Sequence, residues 1–380
     1  MNPVRLIHVA PELPPTAGGV ADYTAILSQR LVEVSDGAIE PVLIHAGKKS
    51  ANIIEVDFPV VDLSGECSAM ALEDAISQID SGTDRQNVVL LEYSNYGYSR
   101  QGTPFWLAQG LKRVCRRNRL PLVTMFHELY ATGPPWESVF WRSFPQRFVA
   151  DQLVRQSEQI FTNRTRATSW LTQYWRAEKQ EVHVQPVFSN VGEPDRGDSF
   201  EERSPYVVVF GGKKQQTYRD NGRIPRVLIK EYGFERVVDI GPSKEFADLQ
   251  GKYLQFSGVL PSEAISKRLS SALLGLISYP ATRLSKSGAA AAFASHGVPF
   301  VLIDEDDGGT ADHYKEGQHF WRWSTLSNSR DLLDKRKLAD MSRSVRALYE
   351  EHMHSRRAAH RFASVLKRNG SQAITPHSRR

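Results

Sequence analysis

Cysteine is nearly missing from this chain of 380 residues, with only Cys67 and Cys115 present. Two thiols cannot build a disulfide framework, which excludes a small secreted scaffold and points to a reducing compartment. No stretch reaches the roughly 18 apolar residues that a membrane-spanning helix needs. No charged-then-apolar leader precedes the first apolar strand, so a cytoplasmic location is expected. His, Cys, Asp and Glu do not cluster at metal-ligand spacing, and neither a metal nor another cofactor is expected. Asp304-Glu305-Asp306-Asp307 comes nearest, but it sits between an apolar strand and Gly308-Gly309 and reads as a polar loop. No repeat of solenoid period and no low-complexity tract occurs.

What is present is a soluble globular composition, 41% hydrophobic and 24% charged. A chain this long exceeds the size at which a single core keeps growing, so two domains are expected. Short apolar strands recur at Val4–Val9, Pro41–His45, Val88–Glu92, Leu122–Phe126 and Ile160–Thr162, alternating with helical patterns. They resume at Val207–Phe210, Val237–Ile240, Leu254–Phe256, Leu273–Ile277 and Phe300–Ile303. Continuous apolar strands alternating with helices mean parallel sheets covered on both faces, with ligands at the strand C-terminal ends. A charged, Gly- and Pro-rich stretch over 191–205 reads as the linker between an N-terminal domain over 1–190 and a C-terminal one over 206–352. A last helix over 353–370 is expected to cross back, followed by a disordered tail over 371–380. The net charge of +5 is uneven: from Arg330 onward thirteen Lys/Arg face five Asp/Glu. With no recognition motif nearby, that basic end reads as a solvated face, and nucleic acid is not an expected partner.

Two strand–glycine–helix units carry the chemistry. In the second half, Ser285-Lys286-Ser287-Gly288, an alanine run and a Gly297-Val298-Pro299 stop lie between two buried strands. A helix that starts at Ser287 and Gly288 presents its first backbone N–H groups and the positive end of its dipole, which suits a phosphate. At the head of the chain, the first strand runs through a Pro-rich loop into Gly18-Gly19-Val20-Ala21-Asp22-Tyr23. The prolines stiffen that loop, and the glycines let backbone approach a ligand closely at a helix start. Either unit alone is an ordinary tight βα turn. One opening each half of the chain is a stronger signal.

Together they resemble the GT-B glycosyltransferases, specifically the retaining family 4 (glycosyl transferases group 1) type. Gly18-Gly19-Val20-Ala21-Asp22-Tyr23 matches its N-terminal glycine loop, and Val123-Thr124-Met125-Phe126-His127-Glu128 its strand-end histidine. Phe256-Ser257-Gly258-Val259-Leu260-Pro261 matches the loop beside the nucleobase, and Gly297-Val298-Pro299-Phe300-Val301 the nucleoside-diphosphate segment. Their order fits the chain to about residue 350. The resemblance implies an α/β fold of two Rossmann-like parallel-sheet domains facing a cleft. It implies transfer of a sugar from a nucleotide-sugar donor to a glycan or lipid-linked acceptor, in bacterial polysaccharide or glycoconjugate synthesis. Donor contacts would come from Gly18, Gly19, Gly212, Lys213, Arg219, Val259, Leu260, Lys286, Ser287 and Gly288. Between Lys213 and Arg219, either could supply the diphosphate cation that follows the first C-terminal strand.

The chain also departs from that family. The usual Glu-x7-Glu ahead of Gly-Val-Pro is replaced by Leu284 and Ala292 when aligned on Gly297. Two other readings therefore stand beside the transferase: a non-catalytic binding or partner protein of this fold, and a sugar-nucleotide epimerase, which needs no acceptor.

His127 is the first catalytic candidate, since a strand-end imidazole could hydrogen-bond a sugar hydroxyl or stabilise charge at the reacting carbon. A satisfied structural histidine is the alternative. Asp22 is the second, as base or acceptor contact, though an acid in a first helical turn also serves the dipole. Glu92, Tyr93, Asn95 and Glu128 are acceptor candidates, because a sugar offers hydroxyls on a ring with apolar patches. Without a metal, the charge growing on the leaving diphosphate would be met by helix-start N–H groups and cations. A last cluster joins Phe105 and the basic run Lys112–Arg119 to Trp136, Phe140, Trp141, Phe144 and Phe148. Aromatics beside Lys/Arg suit an anionic membrane surface, which implies peripheral contact with its inner face. Equally, the aromatics are core and the arginines a solvated face.

Overall fold

A computed structural model describes residues 3–16, 18–49, 53–81, 85–174, 182–195, 199–212, 214–242, 244–249, 251, 253–304, 309–326 and 330–372. Lys213, the acidic loop from residue 305 to 308 and the end of the tail from residue 373 lie outside them. The chain forms two compact units, Met1–Gln185 with Ser355–Arg380, and Pro186–His354.

The first unit runs β1 (Val4–Ala10), α1 (Gly19–Val34), β2 (Ile39–His45), β3 (Val60–Asp62), α2 (Ala69–Ser81), β4 (Gln86–Ser94) and α3 (Asn95–Tyr98). It continues through α4 (Phe105–Asn118), β5 (Leu122–Glu128), α5 (Ser138–Gln156), β6 (Gln159–Thr162), α6 (Thr165–Tyr174) and β7 (His183–Val184). The second unit holds β8 (Ser204–Phe210), α7 (Arg219–Tyr232), β9 (Arg236–Ile240), β10 (Leu254–Phe256), α8 (Ser262–Ser270) and β11 (Ala272–Ser278). Then follow α9 (Gly288–Ser295), β12 (Phe300–Ile303), β13 (Phe320–Arg322), α10 (Trp323–Leu326) and α11 (Lys335–His352). The last helix, α12 (Ser355–Gln372), belongs to the first unit.

Among the described residues the strand order is β3-β2-β1-β4-β5-β6-β7 in one sheet and β10-β9-β8-β11-β12-β13 in the other. Every pairing in both is parallel. The expected α/β class of two parallel-sheet domains is thus what the chain forms. Strands such as Val4–Ala10 and Leu122–Glu128 are buried nearly throughout, because helices cover both faces and polar alternation has no role. Order reverses between β1 and β4 in one sheet and between β8 and β11 in the other. A doubly wound sheet opens a ligand crevice at such a point, outside the strand C-terminal ends.

In the first unit, Val9, Leu91, Tyr93 and Phe126 point into the core that receives α2, α4 and α5. The opposite face is covered by α1 and α12. There Phe362 stacks on Phe161 at 3.9 Å between ring centres, and Arg30 Nε donates to Ser355 Oγ at 2.9 Å.

In the second unit, a Cβ on Gly275 would stand 2.9 Å from the Phe293 ring, so glycine in β11 is what lets α9 lie close to the sheet. Gly297 ends α9 at φ +60°, a left-handed stop. Its carbonyl accepts from Arg203 Nη1 at 2.9 Å and Ser342 Oγ at 2.6 Å. Val191, Phe200 and Arg203, all in the stretch expected as linker, are buried. Among the described residues no helix is long and apolar enough to cross a membrane.

Candidate functional site

In the second unit, α9 begins where β8 and β11 part. Ser287 is its N-cap, its Oγ accepting from Ala290 N at 3.2 Å. Helix geometry leaves the N–H groups of Gly288 and Ala289 with no carbonyl one turn back to bond. Gly211, at the end of β8 with φ +124°, brings its backbone against that first turn; a Cβ there would lie 3.5 Å from Ala289 Cβ. Asn190 Oδ1 stands 3.6 Å from where a Gly288 Cβ would be. Lys286 closes the preceding turn, Ala281–Lys286, half-buried. The structure therefore brings the Ser287–Gly288 helix start against Gly211 at the crevice point of one sheet, with Lys286 in the turn just before it. Helix-start N–H groups and bare glycine backbone are the kind of surface that suits an anion of phosphate size.

The other donor candidates take separate places. Gly212 is exposed and a Cβ on it would meet nothing within 4 Å. Arg219 opens α7 and is exposed. Val259 is 81% exposed, beside half-buried Leu260, at the end of β10, where Gly258 accepts from Gly241 N at 2.7 Å.

The lysine that sequence reasoning missed is Lys214. Its side chain is buried, its Nζ 2.5 Å from Asp239 Oδ1 and donating to Ile240 O at 2.9 Å. Tyr218 donates its hydroxyl to the other Asp239 oxygen. Burial pushes the Lys214 ammonium down from its ordinary range, against the bond and charge of Asp239. The pair ties the β8 loop to the end of β9. An aspartate inside the apolar run Val237-Val238-Asp239-Ile240 was its visible signal. Asp304 is likewise structural, accepting from Ala281 N at 3.2 Å and Arg322 Nη1 at 2.8 Å. Leu284 and Ala292, where the family carries glutamates, are both buried and apolar.

In the first unit the parallel register places His8, Glu92 and His127 on one face of the sheet, beneath α1. An irregularity between Tyr93 and Ser94 gives β5 one extra residue there, and such a bulge re-aims the side chains beside it. Glu92 is fully buried. One of its oxygens lies 2.9 Å from His8 Nε2, the other 2.7 Å from His127 Nε2. His8 Nδ1 meets Ser28 Oγ at 2.8 Å. Tyr23 sets its ring edge-on to His127, 4.9 Å between centres. Burial raises the Glu92 carboxyl, but the bonds and charges of His127 and His8 outweigh it, and the group lies below its ordinary value.

Three of the acceptor candidates lie in the interior. Strand β4 runs on to Ser94, two residues past the expected end, because its pairing with β5 continues. Glu92 therefore has both oxygens on histidines, and Tyr93 is buried in the α2–α4–α5 core. Asn95 is buried too, its Oδ1 accepting from Tyr96 N at 2.9 Å. Glu128 and Asp22 are half-buried, Asp22 in the first turn of α1. Gly18 caps α1 in an extended conformation and Gly19 begins it; a Cβ on Gly18 would stand 2.5 Å from Glu12 Oε2. Among the described residues no three His, Cys, Asp or Glu side chains gather as a metal site.

The aromatic cluster is not core. Trp136 is 84% exposed and Trp141 66%, with Phe144, Phe148 and Phe105 about half exposed. Phe140 packs edge-on against Trp141 and Phe144, both at 5.4 Å, and Phe105 reaches Phe148 at 6.1 Å. Along α4, Arg113 pairs with Glu73 at 3.2 Å and Arg117 donates to Ser77 Oγ at 2.6 Å, both on α2.

No protein-family model and no curated protein matches this chain. Solved structures do. An α-glucosyltransferase in complex with UDP and a 13-mer DNA shares 13% identity over 97% of this chain and 100% of its own, with a TM-score of 0.58. An α,α-trehalose 6-phosphate synthase from Burkholderia multivorans shares 13% identity over 100% and 99%, at 0.58. A protein assigned as a UDP-N-acetylglucosamine 2-epimerase from Listeria monocytogenes shares 11% over the full length of both chains, at 0.59. Likeness at such identities is likeness of fold. Two parallel-sheet α/β units in this order, matched from end to end, give the chain the GT-B fold.

Proposed function

We propose that this protein is a glycosyltransferase that moves a hexose-like sugar from a nucleoside-diphosphate donor to a glycan or lipid-linked acceptor, in polysaccharide or glycoconjugate synthesis at the cytoplasmic face of a membrane. One observation carries it. The start of α9, preceded by Lys286, meets the positive-φ Gly211 at the crevice point of a parallel sheet. Glycosyl transfer releases a diphosphate while an oxocarbenium-like centre forms. Preorganised N–H groups and a lysine meet the charge that grows on the phosphate. Ser287 and Gly288 hold the phosphate, Lys286 neutralises it, and Lys213 or Arg219 adds a second cation. Val259 and Leu260 take the nucleobase. Gly18 and Gly19 offer bare backbone at the start of α1 as a donor contact. His127 stabilises the reacting carbon, and Asp22 and Glu128 address the acceptor. Because protein groups supply that charge, catalysis proceeds without a divalent metal. The solved structures above include a transferase in complex with UDP, which supports a nucleotide-sugar donor.

Leu284 and Ala292 favour a second reading, a GT-B protein that binds nucleotide sugars without turning them over. A calorimetric screen of nucleoside diphosphates and their sugars, followed by turnover with and without acceptor in EDTA, separates the readings. Acceptor-dependent release of diphosphate in EDTA is the expected result. Acceptor-free turnover indicates an epimerase, and binding without turnover a non-catalytic protein. No binding of any nucleoside diphosphate overturns the proposal.

A further inference from the structure

Both oxygens of a fully buried carboxylate, Glu92, are spent on two histidines. A buried charged cluster of this kind is no more stabilising than well-packed apolar side chains of the same volume. It also lies toward the C-terminal ends of β1, β4 and β5, where doubly wound sheets address ligands. We propose that Glu92 is a positioning residue that holds His127 in a single tautomer and ring orientation, with its proton on Nε2 and its lone pair on Nδ1. This rests on the assignment of His127 as a reacting side chain.

An ionised carboxylate has acceptors only, so each oxygen must receive an N–H. His127 therefore donates from Nε2, and Nδ1 is the ring nitrogen left to meet a substrate. On the other oxygen His8 also donates from Nε2, which makes its Nδ1 an acceptor for the Ser28 hydroxyl at 2.8 Å. In the chain Ser28–His8–Glu92–His127 each carboxylate oxygen then has a ring N–H. The Tyr23 ring, edge-on at 4.9 Å, packs against the His127 ring and opposes its rotation. From α3, Tyr98 donates its hydroxyl to the Glu92 carbonyl at 3.0 Å, which fixes the backbone that carries the carboxylate. The groups around Glu92 are thus His8 from β1, His127 from β5, Tyr23 and Ser28 from α1, and Tyr98. A glutamine at residue 92 would offer one oxygen and one NH₂, so one of the two histidines must become the acceptor.

Nitrogen-15 NMR of the histidine rings in the full-length protein tests this directly. Wild-type His127 is expected with Nε2 protonated and Nδ1 bare. In Glu92→Gln one of the two rings should change tautomer, and where it is His127 that signature is lost and kcat should fall by about 100-fold while nucleoside-diphosphate affinity stays the same. A wild-type His127 protonated on Nδ1, or no change of tautomer on either ring in Glu92→Gln, overturns the proposal. The wild-type spectrum decides even if Glu92→Gln does not fold. A lost signature with unchanged kcat keeps Glu92 as the group that sets the ring and removes His127 as a reacting side chain.

Discussion

At Lys286 and Gly288 the proposed phosphate contact makes a quantitative demand. Lys286→Ala should weaken nucleoside-diphosphate binding by about 1.5–3 kcal/mol, the range of a charge-assisted contact. Gly288→Val should act in the same direction, since its side chain would crowd Asn190 at the helix start. Calorimetry reads both, and unchanged affinity in the two folded variants would remove that contact. Lys214 poses a different test. Lys214→Met should destabilise the fold by about 3–5 kcal/mol in urea, because it strands the buried Asp239 carboxylate. The double variant Lys214→Met with Asp239→Leu should recover most of that loss. Side-chain role is where sequence legibility ended. Lys286 could be placed at a helix start from its neighbours alone, whereas Lys214 reads as one more basic loop residue until β9 brings Asp239 beneath it.

Among the elements, α9 carries an acid-sensitive end. His296 follows its last turn, with Nδ1 2.8 Å from Ala292 O and Nε2 2.7 Å from Ser266 Oγ on α8. Burial, helped by the charges of Arg346 and Arg203, pulls its value down to about 4. His319 is pulled to about 4 as well, by burial and by Lys315. The sign follows from which state takes up protons first. An unfolded chain protonates these rings near the ordinary value of 6.5, while the folded one does not until about 4. Stability is therefore complete above about 6.5 and is lost as pH falls toward about 4, by at most about 3 kcal/mol per ring. Urea midpoints should drop between about pH 7 and about pH 5, and His296→Gln should flatten the drop. An equal acid loss in that variant would locate the effect elsewhere. At this scale the interior strands and one edge strand, β10, were legible, and the other three edges were not. Leu254–Phe256 and Phe300–Ile303 appear as expected. By contrast β3, β7 and β13, three residues or fewer and at or beside sheet margins, show no apolar run.

For the molecule as a whole, the open question is what meets the aromatic surface of α5. Exposed Trp136 and Trp141, with Arg142 and Arg147 on the same helix as Trp141, suit the interface of an anionic membrane. Sedimentation with anionic vesicles at low salt should show binding that weakens as salt rises, each basic residue near the surface contributing on the order of 1 kcal/mol. Trp136→Ala with Trp141→Ala should abolish that binding and leave stability within about 0.5 kcal/mol, since neither ring supports the core. A wild-type protein that ignores such vesicles would point to a soluble acceptor.

Period and punctuation in the sequence determined the fold class, most strands and the two glycine helix starts. Those signals are local: an apolar run seeks burial wherever it stands, and a glycine or N-cap serine acts on its own turn of helix. Only the tertiary structure decided which polar groups are tools and which are struts. Glu92 looked like a strand-end acceptor contact, yet two histidines, one from 84 residues earlier and one from 35 residues later, take both its oxygens. The same dependence turned Lys214 into a brace and brought Phe140's neighbours to the surface. A buried charge is defined by the partners that replace its water, and those partners come from distant segments that only the folded sheet brings together.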